Sequence, residues 1–494
     1  MYYLHVFLII VISNSVAYCA RILGINPVHT FSHRQLASAI YEELAAKGHD
    51  VTVISPFPQN EKIKNLRTVL LTGPRDEALD RMMDLANLSE LYSMIQIESL
   101  FLNLTETTLK HPNVQRLIKS NEKFDIIMVE RLHNEAHLGF CHHFQGYCIL
   151  TAPMPMTRWI NGHLGNPGPP SYVADPASHL TSKMNFWQRV HNTFLYIMGQ
   201  LVFHTYLLPT HNSIMQKYFP NSPTIYEIYS NVSLILINSH PITYMPSPSL
   251  PIMIQIGGYY IKPPKQLPEE LRKYLDKAQE GVIYFSMGSN LKSTEFKVEK
   301  LKEFLKAFSQ LPQKVLWKWE NQSLDNLPTN VKIYKFIPQN DVLAHPNVKV
   351  FVTHAGLLSS MEAVYHGVPL IGIPIYSDQF TNVAYAVENN RALTIPYVDL
   401  TAEKLVRAIE DIIHNPMYKK NARAQSKIFR DHPIKPVDKA VYWIEYVLRH
   451  RGAPHLQSSG LNLSWYQYWC VDITIVIFVI SVGTMVFCCK ILRV

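Results

Sequence analysis

The 494 residues carry a net charge of +8, with 47% hydrophobic and 17% charged side chains. That length exceeds one comfortable core and predicts two domains of roughly 200 residues each, while the composition excludes wholesale disorder. The cationic surplus is spread without a basic block or stripe, which argues against a nucleic-acid partner and fits membrane surfaces or anionic ligands instead.

An apolar run at residues 6–12 is followed by small residues at Ala17, Cys19 and Ala20. The run is too short to span a bilayer and reads as a signal peptide over residues 1–20, with the mature chain starting near Arg21. Strand, helix and strand patterns follow at 22–26, 32–47 and 51–55, the start of a parallel sheet with right-handed crossovers. The first loop, 26–33, offers His29 and His33, and a histidine there suits general-base work because its pKa lies near operating pH. Further strands are expected at 124–129 and 234–238. Between them, residues 160–220 mix proline, histidine and aromatic residues with helix-like stretches, a composition that suits a pocket for greasy molecules. Cys141 and Cys148 are the two cysteines of the body; a disulfide and a reduced buried pair both remain open.

Six prolines between 246 and 268 predict a linker. A second alternating half follows, with strands at 282–286, 314–319, 348–352 and 370–373 and helices at 298–308, 357–366 and from about 382. The expected fold is α/β, with two Rossmann-like domains (21–245 and 269–455) facing each other and ligands in the cleft beyond the strand ends. The segment FVTHAGLLSSMEAVYHGVPLIGIPIYSDQ, 351–379, is the densest signal. A buried strand ends at Thr353, and His354, Ala355 and Gly356 turn into a helix whose free amides form an anion site. His354 adds a donor for a diphosphate, and Gly356 lets the backbone come close. Glu362 is placed to accept from a ribose diol, and Asp378 beside Gln379 suits hexose hydroxyls.

After a juxtamembrane segment (456–472), residues 473–489 are uncharged and apolar, preceded by Trp465, Tyr466, Tyr468 and Trp469 and followed by Lys490 and Arg493. This is a single transmembrane helix with an aromatic belt, a short cytosolic tail (490–494) and a lumenal body. Glycosylation sequons at Asn87, Asn103, Asn231, Asn321 and Asn462 all fall on that lumenal side.

The 351–379 segment resembles the signature of the animal UDP-glycosyltransferase family, which includes the microsomal glucuronosyl- and glucosyltransferases. The resemblance runs through FSMGS at 285–289, QKVLWKWE at 313–320, FIPQNDVLAHP at 336–346 and AVYWIEYVLRHRGAPHL at 440–456, and covers the first half more loosely. The GLLSS wording at 356–360 is closer to arthropod-type members. The resemblance implies a two-domain GT-B fold that binds UDP mainly in the second domain, with the protein in the endoplasmic reticulum membrane as a single-pass type I glycoprotein used in detoxification. It implies that Ser289 and His354 meet phosphate, that Gln339 and Glu362 hold uridine, and that Asp378 and Gln379 hold the sugar. Three positions depart from the common pattern: Phe336 replaces the uracil-stacking tryptophan, Ala355 a glycine, and Leu358 a polar phosphate contact.

On the acceptor side, Ser32-His33 matches the family's catalytic Ser-His, so His33 is the expected base. The family's partner Asp follows a strand that here reads FDIIMVE, which puts Glu130 in its place, with Glu135 as a rival and Asp125 structural. The implied reaction is direct displacement with inversion, transferring a hexose, most simply glucose, from a UDP-sugar co-substrate to phenols, steroids or similar lipophilic acceptors. UDP-glucuronate is the rival donor, and a non-catalytic UDP-sugar-binding or regulatory membrane protein the rival class. No metal or cofactor is expected, since neither HExxH nor Cys-x-x-Cys occurs. A homo-oligomer stays open.

Overall fold

The computed structural model describes residues 19–492 except 61, 74–81, 89, 156–160 and 177. The expected signal peptide lies outside the described residues as far as position 18. Two wholly parallel sheets organise the rest. The first contains β1 (Arg21–Ile25), β2 (Asp50–Ser55), β3 (Leu66–Leu70), β4 (Ile126–Glu130), β5 (Tyr147–Ala152), β6 (Leu234–Ile237) and β7 (Met253–Gln255). Their order is β3-β2-β1-β4-β5-β6-β7. The second contains β8 (Val282–Ser286), β9 (Lys314–Lys318), β10 (Val331–Tyr334), β11 (Val348–Thr353), β12 (Leu370–Gly372) and β13 (Ala392–Thr394), ordered β10-β9-β8-β11-β12-β13. The central strands read as unbroken apolar runs because helices cover both faces.

Eight helices matter here: α1 (Phe31–Ala46), α2 (Glu90–Lys110), α3 (Phe186–Val202), α4 (Leu208–Tyr218), α5 (Leu357–His366), α6 (Gln379–Glu388), α7 (Pro436–Arg449) and α8 (Val471–Ile491). Each lobe has its own core, and a further cluster joins them. In it, Ala440, Val441, Ile444 and Val447 of α7 pack with Leu36, Ile40 and Leu44 of α1 and with Leu357 and Met361 of α5. The chain therefore returns to the first lobe after building the second, so the expected 269–455 unit divides its packing between the two.

Other boundaries also differ from expectation. Residues 253–255, inside the expected linker, pair with β6 as an edge strand. The strand expected at 124–129 runs over Ile126–Glu130, leaving the Asp125 carboxylate to accept from the Arg21 backbone N–H at 2.7 Å. The 160–220 region holds α3 and α4, joined by a wider π-type turn at Phe203–Leu207. Cys141 and Cys148 form a disulfide. The sequon residues Asn103, Asn231, Asn321 and Asn462 are all exposed. Helix α8 extends two residues beyond each end of the expected span, with a mean hydropathy of 2.4 and none of it buried.

Candidate active site

Helix α1 buries Leu36, Ala37, Ile40, Tyr41 and Leu44. His33 stands one turn ahead of that stripe, so the same face aims its ring into the space between the lobes. Its Nδ1 lies 2.6 Å from Oε1 of Glu130, the last residue of the buried strand β4. The two side chains are 15% and 3% exposed, so the pair is shielded from bulk water yet open on one side. His29 turns elsewhere, its ring edge against Phe57 at 4.9 Å. Glu135 sits in a different cluster, paired with Arg131 and 3.2 Å from His211 Nε2. Burial pushes its carboxyl up, but Arg131, His211 and His133 outweigh that and hold it at about 2.

Across the gap, β11 ends at Thr353 and the chain turns through His354, Ala355 and Gly356 into α5. Ala355 takes a left-handed conformation, φ 63°. Two glycines frame the His354 ring: a Cβ on Gly288 would meet it at 2.5 Å, and one on Gly356 at 2.3 Å. Burial, helped by nearby Lys318, brings this imidazole down to about 3 and keeps it neutral. It can therefore donate one hydrogen bond without adding a charge.

Asp378 and Gln379 open helix α6. An Asp378 oxygen accepts from the Asn382 amide at 2.8 Å, and the Gln379 carbonyl accepts from the Ile375 backbone N–H at 2.8 Å. Burial raises the Asp378 carboxyl, against which the facing His33 works. Farther back, Gln379 has no part in the Gln339 group: the Gln339 amide donates to Glu362 at 2.7 Å and to Ser359 at 3.1 Å. Burial lifts Glu362 to about 7, although Gln339 and Gln35 of α1 both hydrogen-bond to it. Phe336 is 69% exposed.

A cavity of about 180 Å³ joins these parts. His33, Ser289, His354, Gly356, Asp378 and Gln379 all line it, while Glu130, Glu135, Phe336, Gln339 and Glu362 do not. On the first-lobe side its wall is mostly apolar, with Val28, Leu36, Ile97, Phe101, Leu132 and Met154 beside the polar Thr30, Ser32, His33 and His133. Residues drawn from strand ends of two facing sheets thus meet in one chamber, where open α/β folds bind ligands.

The sequence profile described as "UDP-glucoronosyl and UDP-glucosyl transferase" matches residues 22–494. The chain belongs to this family. It is 37% identical to UDP-glycosyltransferase UGT5 of Dactylopius coccus over 468 residues, covering 93% of this chain and 89% of the relative. It is 36% identical to UDP-glucosyltransferase 2 of the same insect, covering 92% and 89%. Identity to UDP-glucuronosyltransferase 2C1 of Oryctolagus cuniculus is 32%, covering 93% and 95%. The crystal structure of the kitacinnamycin glycosyltransferase matches with a TM-score of 0.60 at 16% identity, covering 86% of this chain and 98% of that one. The fold is GT-B, and this UDP-glycosyltransferase is an enzyme that transfers sugar from a UDP-sugar to an acceptor.

Several parts of the UDP-glycosyltransferase chamber escaped the sequence reading. His133, at φ 52°, lines the cavity with its Nδ1 2.7 Å from Glu98 of α2. Asn290 lines it beside Ser289, and Gln35 reaches Glu362 from the opposite lobe. No local motif marks these residues. The positive φ of His133 is invisible in a sequence, and Gln35 acquires its partner only when the lobes meet.

Proposed function

We propose that this UDP-glycosyltransferase is an inverting hexosyltransferase, most simply using UDP-glucose, that acts on hydroxyl groups of small lipophilic acceptors with His33 as general base. The observation carrying this reading is the 2.6 Å contact between His33 and Glu130 at the edge of a cavity shared with Asp378 and the His354 turn. Nδ1–H donates to the Glu130 carboxylate, which fixes the tautomer and leaves Nε2 to take a proton. As the acceptor oxygen bonds to the anomeric carbon, its proton passes to Nε2 and the bond to UDP breaks on the opposite face, inverting the configuration. Glu130 stabilises the imidazolium that results.

In this reading the diphosphate meets the first amides of α5, the Ser289 hydroxyl and the neutral His354 donor, and needs no metal. Gln339 and Glu362 hold the ribose, Phe336 covers the uracil, and Asp378 and Gln379 hold the hexose. Glucose is favoured over glucuronate because no Arg or Lys lines the cavity among the described residues, so a uronate carboxylate would lack a cationic partner. The apolar wall supports greasy acceptors. The exposed sequons and the disulfide support a lumenal body, and α8 supports anchoring in the endoplasmic reticulum membrane. The test is UDP release from UDP-glucose with a simple phenol, comparing wild type with His33→Ala. Rapid release that vanishes in the variant is expected; equal rates, or none from either protein, would rule the mechanism out.

A further inference from the structure

Helix α3 carries an apolar stripe that nothing among the described residues covers. Trp187, Val190, Phe194, Ile197 and Leu201 recur at spacings of three and four residues, and all are exposed, Trp187 by 75%. Scattered exposed apolar residues need no explanation, but a continuous stripe along a helix about 25 Å long does. The opposite side of the helix is held in place. Asn192 is buried there, its amide donating to the carbonyls of Pro170 and Val173, and Gly199 is buried too.

The position of the stripe indicates its occupant. The segment that leads into α8 leans on the first lobe: a Cβ on Gly165 would touch Ser458 Oγ at 3.3 Å and Leu461 N at 3.4 Å, and the Gln457 amide donates to the Val232 carbonyl. Two residues before Gly165, the His163 ring lies 4.9 Å from Phe203 at the end of α3 and 5.0 Å from Tyr229. Exposed Tyr206 and Tyr226 flank this junction. The Leu201 end of the stripe thus lies beside the segment that leads to the span. The sequence around the stripe is free of carboxylates: no Asp or Glu occurs between Asp175 and Glu227, and of Lys183, Arg189 and Lys217 the two lysines pair with Glu388 and Glu106 from elsewhere in the fold.

We infer that α3 lies in the surface of the same bilayer that α8 crosses, with its Trp187–Leu201 stripe sunk into the boundary between headgroups and acyl chains. Trp and Phe on the apolar face, with Arg189 and no carboxylate on the helix itself, are the chemistry of an interfacial helix. A second copy of the chain fits less well. The stripe is about two heptads long, shorter than a stable coiled coil, and its flanks at His191, Thr193, Met198 and Gln200 offer no opposite charges to set a partner. The consequence for function is positional: the lobe that supplies the apolar wall of the cavity is pressed against the phase in which lipophilic acceptors dissolve. The inference rests on the anchoring reading of α8.

The experiment uses the full chain reconstituted in phosphatidylcholine vesicles with or without brominated acyl chains. Emission of wild type minus that of Trp187→Phe isolates Trp187, and wild type minus Trp469→Phe isolates a residue beside the span. Loss of most of the Trp187 emission in brominated lipid is expected, together with loss at Trp469. Quenching at Trp469 with Trp187 unaffected overturns the inference and leaves the anchor standing, and so does a Trp187 shielded within a cross-linkable dimer. No quenching at either site, with the chain extracted by alkaline carbonate, overturns both.

Discussion

The contact between His33 and Glu130 separates two kinds of substitution. In the proposed mechanism, Glu130→Gln keeps the shape but removes the charge that fixes the ring and steadies the imidazolium. It should lower kcat by about 10²–10⁴-fold while leaving KM for the UDP-sugar nearly unchanged. Glu135→Gln should do something else. Its carboxylate sits among Arg131, His211 and His133, so losing it strands a buried guanidinium and should cost about 3–5 kcal/mol of stability without reshaping the pH–rate profile. Thermal melts beside steady-state kinetics distinguish the two. Glu362 gives a pH prediction. Its folded pKa of about 7 lies above the ordinary 4.5, so the folded state holds the proton longer. Stability therefore falls as pH rises from 4.5 to 7 and changes no further above that. Glu362→Gln should raise the melting temperature at pH 8, leave it little changed at pH 4.5, and weaken UDP binding measured by calorimetry. Two parts of this site were legible in sequence as short runs, His354 to Gly356 and Asp378-Gln379, because a single strand-to-helix turn places each. Glu98, His133 and Gln35 were illegible, because each meets its partner only through tertiary packing.

Among the elements, the turn between β11 and α5 is under the tightest geometric constraint. Gly356→Ala would drive a methyl into the His354 ring, and the ring cannot retreat toward Gly288 because it is equally close there. The expected result is a folded protein with at least a tenfold loss in kcat/KM, on the order of one misplaced hydrogen-bond donor. Ala355→Gly should behave differently. It relieves a left-handed alanine worth roughly 1–2 kcal/mol, but adds about 0.5–1 kcal/mol of glycine entropy and loses a buried methyl worth about 0.8 kcal/mol. These nearly cancel, so denaturant melts should shift by less than about 1 kcal/mol. The same scale shows why some elements were readable and others were not. Buried central strands such as β8 and β11 announce themselves as apolar runs, although β5, equally central, went unread. Edge strands do not: β3 and β10 carry Arg67 and Lys332 on half-exposed backbone, and β7 lies in a proline-rich stretch whose composition argues for a linker.

For the whole molecule, the informative feature is the return of α7 to the first lobe. A chain ending at 435 should lose the cover over Leu36, Ile40 and Leu44 and come out insoluble. One ending at 470 removes only α8, none of which is buried, and should melt within a degree or two of the full chain. Solubility and circular dichroism on the two truncations check this. The two-lobed plan was legible because two alternating strand and helix series flank a proline-rich stretch; the cross-lobe return was not, because an amphipathic helix does not declare which lobe it will cover.

The turns at 457–461 that lead toward α8 rest on Gly165 and Val232, both in the first lobe, and among the described residues no hydrogen bond ties the second lobe to them. Under the proposed reading, any breathing of the cleft is therefore asymmetric: the half assigned to the acceptor stays docked while the half assigned to the nucleotide swings in the aqueous lumen. Spent UDP would then leave, and fresh donor arrive, by a route that never disturbs the greasy molecule waiting at the membrane.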